Sequence, residues 1–218
     1  MFFEFLFPRR CVFCNRVLAK GEKDLCVRCV WKLGVNLVPL AKFADRVGSL
    51  NVENYDVFMD FKFCRTALEK FKYGGRLYYG RVLAKLWVKR LKRFEWARNA
   101  DWIIPVPMSR WELLSRGFNQ NEFLGGVLSK DLGVPLCRKA VVAKRKRTSQ
   151  VESRDRWENI KGAFALNEKM REQLKGKRVI VIDDVITSSA TVNELLGVLR
   201  GIEDLRVSLA FLSMGSKF

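Results

Sequence analysis

The stretch VIVIDDVITSSAT, Val179 to Thr191, decides how the chain is read. Its opening run of branched apolar residues shows no polar alternation, the pattern of a strand covered on both faces. A strand is expected over Arg178–Ile182, ending in Asp183 and Asp184, with small hydroxyl residues behind it and a helix over Thr191–Leu199. Strand, hydroxyl-rich loop and helix N-terminus together suit an anion. Main-chain amides wrap a phosphate, and the hydroxyls of Thr187, Ser188, Ser189 and Thr191 add donors. The paired carboxylates one step upstream suit vicinal hydroxyls, held directly or through Mg²⁺. An Asp-Asp pair at a strand end also suits an ordinary helix cap and turn, and the residues alone leave both readings open.

Outward from this stretch, strands alternate with helices. Arg206–Leu212 reads as a final strand, Asp56–Phe61 (DVFMDF) and Asp101–Val106 as earlier ones, the latter stopped by Pro107. Cys64–Phe71 carries apolar residues at helical spacing. Leu77, Val82, Leu83, Leu86 and Leu91 mark one face of a long helix whose other face is basic, either a solvated surface or a nucleic-acid surface. Asn119–Asp131 is expected as a helix ending before Gly133, and Ala140–Ala143 as a short strand. Lys144 to Arg156 is polar and basic without apolar period, hence a loop or mobile hairpin. The pattern predicts an α/β fold, a mainly parallel sheet flanked by helices, over residues 56–218. Residues 41–55 are expected as a connector, and the mixed stretch 31–55 as short helical pieces.

Residues 1–40 carry a second signal. Cys11, Cys14, Cys26 and Cys29 form two C-x-x-C knuckles separated by eleven residues, the spacing that closes a tetrahedron around Zn²⁺. Four thiolates leave no open coordination position, so such a site is structural. Two disulfides are the alternative, but no secretory signal precedes the cysteines. Cys64 and Cys137 lie apart and read as small buried hydrophobes.

Composition narrows the chemistry. The chain has 218 residues and no histidine, which removes Ser-His-Asp, Cys-His and imidazole chemistry. With 41 Lys and Arg against 23 Asp and Glu, a net charge of +18 favours anionic partners. No apolar run is long enough to span a membrane, so a cytoplasmic location is the simplest expectation. Trp87 sits among lysines, yet its helical spacing places it in the core rather than on a base-stacking surface.

The strand, acidic pair and hydroxyl loop at Val179–Thr191 resemble the PRPP (5-phosphoribosyl 1-diphosphate) signature of type I phosphoribosyltransferases. Taken with the cysteine knuckles, Pro105-Val106-Pro107, Arg116-Gly117-Phe118-Asn119-Gln120, Thr148 with Gln150, Arg156 and Asn159, and Gly162 to Phe164, the pattern resembles the ComF family of amidophosphoribosyltransferase-like proteins. The resemblance covers nearly the whole chain. It implies a type I phosphoribosyltransferase-like domain behind a small N-terminal four-cysteine zinc module. It implies that Asp183 and Asp184 meet the ribose hydroxyls, and that Thr187, Ser188, Ser189, Ala190 and Thr191 cradle the 5-phosphate. Lys72 would belong to the loop that meets the diphosphate. Lys144, Arg145, Lys146, Arg147 and Gln150 would form a flexible hood that closes over PRPP and Mg²⁺.

The implied activity is transfer of a phosphoribosyl group to a nitrogen acceptor in a DNA-uptake setting. The alternative is a non-catalytic protein that binds single-stranded DNA or a helicase-like partner, or a nucleotide-binding regulator. Two residues depart from the wider superfamily. Ser189 stands where many members have Gly, so the loop is expected to be strained or altered there. Thr187 stands where purine transferases place an Asp, so no carboxylate is available to take a purine's proton.

Overall fold

The computed structural model describes residues 8–38, 52–144, 161–187 and 189–215. In chain order the elements are α1 (Val27–Val35), β1 (Asn54–Asp60), α2 (Phe61–Lys72), α3 (Leu77–Leu91), α4 (Glu95–Arg98), β2 (Trp102–Pro105), α5 (Arg110–Arg116) and α6 (Gln120–Leu132). They continue with β3 (Val141–Ala143), β4 (Phe164–Leu166), α7 (Glu168–Leu174), β5 (Arg178–Ile186), α8 (Ala190–Leu199) and β6 (Arg206–Met214).

β1, β6, β5 and β2 form one sheet in that order, every pair parallel, and β3 and β4 form a separate antiparallel pair. The sheet is covered on both faces, which is why Val179 to Ile182 shows no alternation. One cluster holds Ile180, Ile182, Ala210 and Leu212 with α2, α3 and α6. The other holds Val179, Val181, Leu209 and Phe211 with α8, β3 and β4. The expected α/β architecture is therefore the observed one.

Local signals set the element ends. Asp60 closes β1 and caps α2, accepting from the Lys62 N–H at 2.7 Å. Asn119 accepts from the N–H groups of Asn121 and Glu122 to start α6, and Gly133, left-handed at φ 77°, ends it. The acidic pair does not end its strand. β5 runs on to Ile186 because Val185 and Ile186 pair with Ser213 and Met214, so Asp183 and Asp184 are strand residues. α5 and α7 were not expected. α5 announces itself only through Ser109 and Glu112, a reciprocal capping box.

One further expectation changes. Leu77 is exposed at the head of α3, while Trp87, Val82, Leu83 and Leu91 are buried. The expected short helical pieces appear at 31–35, and residues 39–51 of the expected connector lie outside the described residues. α1 starts inside the cysteine module, and Leu37 then bridges Met59 at the edge of β1. Of the basic loop only Lys144 lies among the described residues; Arg145, Lys146, Arg147, Thr148, Gln150, Arg156 and Asn159 lie outside them, as does Ser188.

Candidate functional site

The acidic pair sits toward the carboxyl end of β5, where α6 and the end of α2 converge on it. Asp184 is buried, and its Oδ2 lies 2.7 Å from the Nζ of Lys72, the last residue of α2. Asn121, also buried, bridges the pair. Its Nδ2 donates to Asp183 Oδ1 at 2.8 Å and to the Val106 carbonyl at 3.1 Å, and its Oδ1 accepts from the Asp184 N–H at 3.2 Å. Burial above all, and then the adjacent Asp184 carboxylate, push Asp183 well above the ordinary aspartate range; the Asn121 amide and Lys72 pull it partly back. Two carboxylates so placed hold charge that a hydroxyl donor or a cation relieves.

The pair opens into a cleft of about 1120 Å³. Lys72, Asp183, Asp184, Thr187 and Thr191 line it, with Lys144 and Arg116 as further cations and Tyr73, Met108 and Trp111 as an apolar flank. Ser189 is the residue before α8, at φ −71° and ψ −8°, and its carbonyl accepts from the Asn193 N–H at 2.8 Å. The torsion is an ordinary helical one, so the strain expected at Ser189 is absent. Among the described residues no side chain caps the start of α8, and no acidic residue lies in its first turn, an arrangement that suits an anion.

In the N-terminal module, the four thiols of Cys11, Cys14, Cys26 and Cys29 lie within 4.8 Å of one another. Cys14 Sγ and Cys26 Sγ are 3.7 Å apart, close to the edge of about 3.8 Å that Zn–S bonds of about 2.3 Å give a tetrahedron. The Cys26 and Cys29 amides donate to Cys11 Sγ and Cys26 Sγ, each at 3.4 Å, as they would to thiolates. No disulfide joins the six cysteines. The donor set fits a metal such as zinc and leaves no ligand position open. Cys64 and Cys137 are buried, as expected.

Residues 122–213 match the model of the phosphoribosyl transferase domain. Competence protein F of Haemophilus influenzae is 33% identical over 64% of this chain and 64% of its own length, so the chain spans just under two thirds of that relative. The DNA utilization protein YhgH of Escherichia coli O157:H7 is 25% identical over 85% of this chain and 81% of its own. With the four-cysteine cluster ahead of that domain, these matches fit a member of the ComF family. Among solved structures, glutamine phosphoribosylpyrophosphate amidotransferase from B. subtilis superposes with a TM-score of 0.45 at 14% identity, over 66% of this chain and 30% of that one.

The fold brings Lys72, Asp183, Asp184, Thr187, Thr191 and Lys144 to one cleft. Ala190 is buried at the start of α8 and contributes backbone there. Sequence reasoning missed Asn121 and did not assign Gln120, both at the start of α6. Polar residues directly behind a cap on a helix that packs against the acidic strand would have been the signal.

Proposed function

We propose that the cleft binds PRPP, or a related sugar phosphate, together with Mg²⁺, and transfers the phosphoribosyl group to a nitrogen acceptor. The carrying observation is the juxtaposition, in one cleft, of an acidic pair (Asp184 buried, Asp183 half-buried), a basic residue and a helix N-terminus whose Ser189 side chain makes no cap hydrogen bond. In this reading Asp183 and Asp184 receive the ribose hydroxyls. Thr187, Ser188, Ser189, Ala190 and Thr191 take the 5-phosphate. Asp183 and Asp184 would hold Mg²⁺, which would supply positive charge to a diphosphate leaving group.

Lys72 leaves Asp184 and meets the diphosphate as the bond from C1 to its oxygen breaks. The nitrogen lone pair forms the new bond to C1, and the nitrogen's proton is lost to solvent or product. Lys144, Arg145, Lys146, Arg147 and Gln150 close over the leaving diphosphate, where negative charge grows. Thr187 cannot accept a purine's proton, so the acceptor is one that is nucleophilic without a base at that position. The names of the two relatives, competence and DNA utilization, support a setting in DNA uptake. In the same reading the protein works in the cytoplasm and zinc fills the four-cysteine cluster.

Thermal unfolding with and without PRPP and Mg²⁺ tests the reading. Saturation at about 100 times the dissociation constant stabilises the folded state by about 2.7 kcal/mol. The parent is expected to shift and the Asp183→Asn/Asp184→Asn variant to remain in place; an unmoved parent rejects the proposal. A second reading, contact with single-stranded DNA or a helicase-like partner, draws on α1. There Trp31 is 73% exposed, between Arg28 and Lys32. Under that reading oligonucleotide binding weakens steeply with salt and falls on Trp31→Ala. Trp87 is buried and unavailable for stacking.

A further inference from the structure

Gln120 is the first residue of α6 and lines the cleft beside the acidic pair. It is only 6% exposed, yet its Oε1 is buried without a hydrogen-bond partner among the described residues. Leaving such an acceptor unpaired is costly, and a buried polar group kept without a partner calls for one that arrives later. The helix start itself is not what is open. Asn119 already accepts from the Asn121 and Glu122 amides, so no anion is called for there. The open atom is a neutral acceptor, and it lines the same cleft as Asp183 and Asp184.

A buried acceptor without a partner takes a donor. Asn121, the next residue, is committed to Asp183, Asp184 and Val106, so it cannot turn to satisfy Gln120. We infer that Gln120 is a ligand-contacting residue whose carboxamide oxygen accepts from a sugar hydroxyl, making the cleft selective for a hydroxyl-bearing sugar phosphate over a bare phosphate. This inference rests on the sugar-phosphate reading above and assigns that site an additional recognition residue.

The probes are ribose 5-phosphate and inorganic phosphate, titrated calorimetrically into the full chain and into Gln120→Met, which keeps the side chain's length and removes its polar atoms. Ribose 5-phosphate is expected to bind Gln120→Met about tenfold more weakly, the scale of one lost hydrogen bond, with phosphate affinity unchanged. The ligand-free variant should also melt a few degrees higher, because an unpaired buried acceptor has gone. Unchanged ribose 5-phosphate affinity in a folded Gln120→Met overturns the inference, as does an equal loss for both probes. A lower melting temperature in Gln120→Met also counts against it, since the oxygen would then have had a partner in the free protein. Failure of ribose 5-phosphate to bind the parent is a different result: it removes the sugar-phosphate reading itself, and this inference with it.

Discussion

Lys72 shows how a single residue changes meaning between sequence and structure. In FKYGG it reads as loop or solvated surface, but at the end of α2 its ammonium lies against the buried Asp184 carboxylate. Burying such a pair is not in itself a gain, whereas removing one partner strands the other. Lys72→Met should therefore lower stability by about 3–5 kcal/mol, and Lys72→Met/Asp184→Asn should regain most of it, measured by urea unfolding. Equal losses in the single and double variants would show that Lys72 matters through packing of its stem. The contact also means that a ligand competing for Lys72 first has to break an ion pair.

Asp56 and Arg90 do comparable work between elements. Asp56 is fully buried in β1, and Arg90 of α3 reaches it with Nη2 at 2.7 Å and Nε at 3.1 Å, its guanidinium also 5.3 Å from the Phe94 ring. The basic face expected of α3 is thus not wholly a solvated surface, since one of its cations fastens the helix to the edge strand. Burial raises the Asp56 carboxyl above its ordinary value, against the lowering effect of Arg90.

A native value above the unfolded one means that the folded state binds more protons between the two. Asp56 thus favours folding most below the unfolded value of about 3.9, and that contribution is lost as pH rises through the native value. Arg90→Met removes both lowering influences, so the native value climbs further. A deficit of about 3–5 kcal/mol is expected at pH 7.5 and a clearly smaller one at pH 5, read from urea midpoints. The same deficit at both values would rule out an ionised Asp56 as its source.

Over the whole molecule, the cysteine module is built into the main core. Cys11, Val12, Phe13, Cys26 and Cys29 belong to the same buried cluster as Phe71, Leu83 and Leu124, and the Phe13 and Phe63 rings meet at 4.6 Å. Lys70 of α2 donates to Asn15 at 3.0 Å, and Tyr78 of α3 donates to Asp24 at 2.6 Å. Loss of the metal should therefore be felt along α2, the helix that ends in Lys72. Under the zinc reading proposed above, Cys26→Ser is expected to carry less zinc than the parent, by metal analysis, and to melt at a lower temperature in one cooperative transition. Two separate transitions would show the module to be an independent unit.

Local chemistry determined much of this protein from the sequence alone. The unbroken apolar run of Val179 to Ile182, the Asn119 cap, Gly133 and the doubled C-x-x-C spacing each impose their structure within a few residues, by burial, hydrogen bonding or ligand geometry. Tertiary structure alone decided which acid Lys72 meets, that Asn121 grips the pair, that Gln120 is buried without a partner, and that Arg90 is spent on Asp56. Those contacts join residues far apart in the chain. Their energies depend on desolvation that arises only when helices and sheet close on one another, and no local pattern encodes it.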